Sequence, residues 1–103
     1  MPENYGERIL QDKIDRGILK PEQVADPAIR RELVDGYNDS YRRVFIREAL
    51  AALAERNASS ATFMKYVNEG NLEAAMLFLQ RDIGDLAAVQ LRKSVIAEVT
   101  RGR

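Results

Sequence analysis

Residues 61–83 read ATFMKYVNEGNLEAAMLFLQRDI, and this stretch decides the class of the fold. Two segments, 61–69 and 72–83, carry apolar residues at helical spacing on either side of the pair Gly70-Asn71. Glycine favours the left-handed backbone that follows a helix end, and asparagine accepts hydrogen bonds from the first turn of the next helix. The stretch therefore predicts a helical hairpin.

The rest of the chain repeats this alternation of apolar periodicity and helix-ending residues. Residues 4–16 predict an amphipathic helix that ends at Gly17, a short helical turn follows at Pro21, and Gly84-Asp85 precedes a final helix over 86–100. Runs of alternating β-branched residues are absent. We expect an all-α fold, a compact bundle of about four to five helices with a C-terminal hairpin plus a final helix.

The middle of the chain leaves one question open. Asp26-Pro27 is a strong helix start, because aspartate accepts from free backbone N–H groups and proline fits the first helical position. Good helix formers run from Tyr41 to Arg56, but Asp35-Gly36 and residues 38–40 are poor ones. Residues 27–57 therefore form either one bent helix or two. The length favours a single domain over 1–103, with flexible ends at 1–3 and 101–103.

The chain contains no histidine and no cysteine. The usual general base near neutral pH, the common metal ligands and thiol nucleophiles are therefore missing together. Phosphate-binding glycine loops are also absent from the sequence. We expect a noncatalytic protein with no cofactor and no bound metal.

Carboxylates are the remaining groups able to perform acid–base chemistry. Three close pairs border turns or helix ends, where acidic residues commonly cap helices and face solvent. These pairs are Asp12 with Asp15, Asp35 with Asp39, and Asp82 with Asp85. We interpret all three pairs as structural.

Charge and hydropathy predict the cellular setting. Sixteen basic residues balance sixteen acidic ones, so no overall charge attracts the chain to nucleic acid or to an anionic membrane. No apolar run approaches the length of a membrane span, and the first residues lack the pattern of a signal peptide. We expect a cytoplasmic protein, and its excess of arginine over lysine with abundant alanine favours a GC-rich bacterial or phage source.

An arginine cluster in the central helix supports an alternative function. Arg42, Arg43 and Arg47 lie close in sequence, and Arg43 and Arg47 share the side of the helix without apolar residues. Phosphate contacts need such residues, so a nucleic-acid-associated accessory protein is the second hypothesis. The competing interpretation is a solvated face on which the arginines pair with nearby glutamates.

The hairpin carries more apolar residues than one buried stripe requires. Leu72, Met76, Leu79 and Ile83 form that stripe, and further apolar residues point elsewhere. Either the hairpin is internal or a second face meets another chain. For the second case we predict a partner surface made of Phe63, Met64, Met76, Leu77 and Phe78.

Residues 69–79, EGNLEAAMLFL, resemble the helical hairpin of small interaction modules such as tetratricopeptide and ubiquitin-associated domains. The resemblance covers only this hairpin, and the other signature positions of those modules are absent, so no individual residue role is carried over. The leading hypothesis is an interaction module, that is, an adaptor, regulator or small structural subunit. Its expected partner is a second copy of itself or a larger protein.

Overall fold

The computed structural model describes residues 5–101, and every regular element in that part of the chain is helical. A short 3-10 helix at Pro21–Val24 separates the first two of five α-helices. These are α1 (Tyr5–Asp15), α2 (Pro27–Glu55), α3 (Ala61–Asn68), α4 (Leu72–Ile83) and α5 (Asp85–Arg101). The predicted all-α class, including the hairpin and the final helix, is confirmed. Of the expected flexible ends, Arg101 is the last residue of α5, and the others lie outside the described residues.

Helix ends are closed by residues in the left-handed conformation. Gly17 follows α1 with φ +76°, as the sequence predicts, and Asn57 follows α2 with φ +53°. Beyond α2, the Asn57 N–H donates to the carbonyl of Ala54 at 3.1 Å, and the Ala58 N–H donates to that of Leu53 at 2.9 Å. This pair of bonds satisfies carbonyls that the helix itself leaves unpaired.

Helix α2 is a single helix, which settles the choice between one helix and two. It begins as predicted, with the Asp26 carboxylate accepting from the Ala28 N–H at 2.9 Å. The weak helix former Asn38 has a tertiary role, since its side-chain oxygen accepts from the Gly6 N–H of α1 at 2.6 Å. That bond satisfies a donor at the start of α1, where helical N–H groups have no partner within the helix.

Contacts along the chain divide it into two compact units. The first unit comprises residues up to 44 and from 95 onward, and the second, called the hairpin unit below, comprises residues 45–94. Helices α2 and α5 each contribute to both units, and the single domain expected from the length stays a prediction. None of the described helices combines the length and apolarity needed to cross a membrane.

The first unit packs α1 and the first part of α2 around an apolar cluster of Leu10, Val24 and Val34. The rings of Tyr5 and Tyr41 stack with centroids 4.0 Å apart. The α1 residue Lys13 is almost completely buried, with its ammonium 4.8 Å from the centre of the Tyr37 ring. Cation–π attraction stabilises that placement of the charge.

The hairpin unit has an aromatic and aliphatic core of its own. Phe45 of α2 and Phe63 of α3 meet edge to face, with ring centroids 5.7 Å apart. The other buried apolar side chains of this unit belong to Ala49, Leu53, Val67, Ala75, Met76, Leu79, Ile83 and Ala88. Burial of these side chains is the main favourable term for the unit and fixes which face of the hairpin points inward.

Candidate interaction surface

The turn between α3 and α4 sets the register of the hairpin. Gly70 has φ +76°, and its N–H donates to the Val67 carbonyl at 3.0 Å, while the Asn71 N–H donates to the Tyr66 carbonyl at 2.9 Å. The Asn71 side chain then accepts from the Ala74 N–H at 3.1 Å. One Gly-Asn pair thus ends one helix and begins the next, as the sequence predicts.

The inner face of the hairpin contains two of the five predicted partner-binding residues. Phe63 is 2% exposed and packs on Phe45, and Met76 is 8% exposed. A buried side chain cannot contact a partner unless the core opens. Phe63 and Met76 are therefore core residues, and their prediction as partner-binding residues is corrected. Apolar spacing alone did not separate them from their exposed neighbours.

The other three predicted residues are at least partly exposed, and we call the exposed side of α4 that carries Leu77 its outer face. Leu77 is 66% exposed, and Phe78 and Met64 are half-buried. The Phe78 ring stacks on Tyr66 of α3, with centroids 5.1 Å apart. Exposure of a large aliphatic side chain beside an ordered aromatic pair is typical of a contact surface.

Charged side chains lie against this aromatic pair. The guanidinium of Arg81 is 4.8 Å from the centre of the Phe78 ring, and the ammonium of Lys65 is 5.7 Å from the centre of the Tyr66 ring. Sequence reasoning missed Tyr66 and Arg81 as part of the surface. The signal for Arg81 was its spacing of four residues from Leu77, which places the two on one face of the helix. Tyr66 lies only two residues from Met64, so helical spacing gave no such signal for it.

Leu86, at the start of α5, is 73% exposed and was also missed. One helical turn farther along α5, Gln90 borders a shallow cleft of about 240 Å³ within the hairpin unit. Ala51, Ala52 and Ala87 contribute small side chains to this cleft, and its charged lining residues are Glu48, Glu55 and Arg56. It has room for a small apolar group and contains no buried polar residue.

The predicted phosphate-contacting arginines are all exposed. Arg43 forms an ion pair with Asp39 at 3.4 Å, and Arg47 forms one with Glu48 at 3.1 Å. The expected pairing with a nearby glutamate is thus present at Arg47, whereas Arg43 pairs with an aspartate one turn earlier. A carboxylate beside each cation weakens its attraction for a phosphate.

The carboxylate pairs make local surface contacts. Asp12 pairs with Arg16 at 3.2 Å, and Asp85 accepts from the Gln80 side chain at 2.9 Å. Asp82 lies 3.4 Å from its neighbour Arg81. Among residues 5–101, no group of three or more acidic side chains is arranged to hold a metal ion.

Comparison with known proteins finds no matching family model, no matching curated protein and no matching solved structure.

Proposed function

We propose that this chain is a noncatalytic protein-interaction module, an adaptor, regulator or small structural subunit, whose binding surface is the outer face of α4. The observation that carries the proposal is Leu77, a leucine 66% exposed in the middle of a well-capped helix. Burial of apolar side chains against another surface lowers the free energy by roughly 25 cal/mol per Å² of apolar area removed from water.

The residues around Leu77 indicate that its exposure marks a binding surface and is not a chance exposure of one leucine. Phe78 and Tyr66 are held in a stacked pair, and the guanidinium of Arg81 lies over the Phe78 ring. Aromatic residues and arginine are the types most enriched at the centres of protein interfaces. Because these side chains are already held in place, binding would cost little conformational entropy.

Absence of histidine and cysteine from the sequence supports the noncatalytic part of the proposal. A cytoplasmic location and a bacterial or phage source belong to the same proposal and rest on the sequence alone. The nucleic-acid alternative is not advanced, because the sequence has no excess of basic over acidic residues to attract a polyanion. The carboxylates near Arg43 and Arg47 also lower the local positive potential.

Site-specific photocrosslinking tests the proposal. A photoreactive phenylalanine derivative replaces Leu77 in one variant and the exposed Glu22 in a matched control, both in the full chain. We expect protein adducts from position 77 and not from position 22. Excess unlabelled wild-type protein should suppress these adducts, whereas excess Leu77→Lys protein should not.

Two results would overturn the proposal. One is a lack of adducts at position 77, both in the purified protein and in an extract of the source organism. The other is an adduct pattern that excess Leu77→Lys protein suppresses as well as the wild type does, because binding would then not depend on the leucine.

A further inference from the structure

Three exposed residues of α4 form a row with a regular chemical order. Glu73, Leu77 and Arg81 are spaced four residues apart, and all three are exposed. Residues at this spacing form one ridge on a helix, and three of them span about 12 Å along its axis. The order of the row, from N- to C-terminus, is acidic, apolar, basic.

A row with this order is complementary to itself when reversed. If two copies of α4 cross antiparallel with Leu77 at the crossing point, Leu77 meets Leu77. At the two ends, Glu73 of each copy then faces Arg81 of the other. An interface that uses the same patch on both copies is the isologous type found in two-fold dimers.

We infer that the protein partner of this surface is a second copy of the chain, bound through antiparallel α4 helices with Leu77 at the two-fold axis. The inference rests on the proposed function, because it names the partner of that same surface. Charge complementarity favours a second copy as the partner, because in the antiparallel arrangement Glu73 of each copy faces Arg81 of the other.

The local structure prepares the charged ends for this contact. Arg81 lies in the last turn of α4 and Glu73 in the first, where the helix dipole stabilises each charge. The guanidinium of Arg81 lies 4.8 Å from the centre of the Phe78 ring, and this cation–π contact restricts its position on the helix surface. The intrachain partner of Arg81 is the adjacent Asp82 at 3.4 Å, and an exposed pair of this kind contributes little stability that binding would have to replace.

The experiment is sedimentation velocity on the full chain and on charge-reversal variants, up to about 0.5 mM, as suits a small, weak interface. We expect the wild type to dimerise. Glu73→Arg and Arg81→Glu should each dimerise about 10- to 100-fold more weakly, because each change places two like-charged pairs at the interface. An equimolar mixture of the two variants should recover the dimer, since each mixed pair is again oppositely charged.

Glu55→Arg is the matched control. It makes the same charge change at an exposed glutamate of the cleft and should leave dimerisation unchanged. Because Glu73 and Arg81 are exposed, circular dichroism should show folded variants. If Arg81→Glu does not fold, Arg81→Gln and Glu73→Gln test each charge separately, and each should dimerise more weakly than the wild type.

Three outcomes would overturn the inference: a wild type that stays monomeric throughout, a mixture of reversed variants that stays monomeric, or loss of the dimer in Glu55→Arg but not in Glu73→Arg. The last outcome would place the contact at the cleft instead. A monomeric wild type whose position 77 still crosslinks to other proteins would overturn only the inference. Lack of any adduct at position 77 would overturn the proposed function as well.

Discussion

Gly6 lies against the backbone of α2 within the first unit. A side chain added at this glycine would collide with the carbonyl oxygen of Val34 and would come within 2.8 Å of the Asn38 side chain. We therefore expect Gly6→Ala to lower the free energy of unfolding by about 1–3 kcal/mol, as overpacking does, and to weaken the Gly6–Asn38 hydrogen bond. Urea unfolding followed by circular dichroism measures the change.

Gly36→Ala is the matched control for this prediction. Gly36 also lies in a helix, but a Cβ added there would have no neighbour within 4 Å. Alanine should stabilise the protein at this site by about 0.5–1 kcal/mol, because it is the better helix former. A Gly6→Ala variant as stable as Gly36→Ala would show that the close approach of α1 and α2 is wrong.

The contact between Gly6 and Asn38 could not be predicted from the sequence. Asn38 predicts a break in α2 when only its neighbours in sequence are considered, because its side chain competes with helical hydrogen bonds. Its partner lies 32 residues away, and no local pattern indicates it. Tertiary contacts of this kind override helix propensity.

At the scale of elements, the Gly70-Asn71 turn holds α3 and α4 in register. Asn71→Ala removes the acceptor for the Ala74 N–H, so we expect the free energy of unfolding to fall by about 0.5–2 kcal/mol. Asn71→Asp keeps an acceptor and should stay within a few tenths of a kcal/mol of the wild type. Equal losses in the two variants, measured by thermal or urea unfolding, would contradict this role.

Two leucines of α4 provide a test of which face is buried. Leu79 is completely buried, and Leu79→Ala should cost about 2–5 kcal/mol of unfolding free energy. Leu77→Ala should change stability by no more than about 0.5 kcal/mol in the dilute protein, because Leu77 is largely exposed. A large loss from Leu77→Ala at micromolar concentration would mean that the outer face is part of the core.

Helix ends were predictable from sequence because their signals are local. Gly17 and Gly70 end helices in the left-handed conformation, as expected, and Asp26 and Asn71 accept from the first turns that follow them. The surface was only partly predictable. Met76 and Leu77 are adjacent and similarly apolar, yet one is buried and the other exposed, because the packing of the surrounding helices decides which side faces inward.

At the scale of the whole molecule, the sequence has no formal net charge at pH 7. Self-association therefore depends on local charge pairs and not on an overall field. Raising the salt concentration from about 50 to 500 mM should weaken the dimer by no more than about tenfold, because exposed pairs contribute little. Sedimentation velocity at the two salt concentrations measures this. A loss of a thousandfold or more would indicate the many charge contacts typical of nucleic-acid binding.

We propose that another protein surface covers Leu77, and hydroxyl-radical footprinting read by mass spectrometry measures the exposure of this side chain directly. The oxidation rate of Leu77 should fall several-fold as the purified protein is concentrated from the dilute monomer to about 0.5 mM, where a weak dimer forms. Ile18, exposed in the first unit and outside the proposed surface, should keep its rate and serves as the control. The proposal would be contradicted if Leu77 were oxidised at the same rate at both concentrations and if no protein that crosslinks at position 77 lowered that rate.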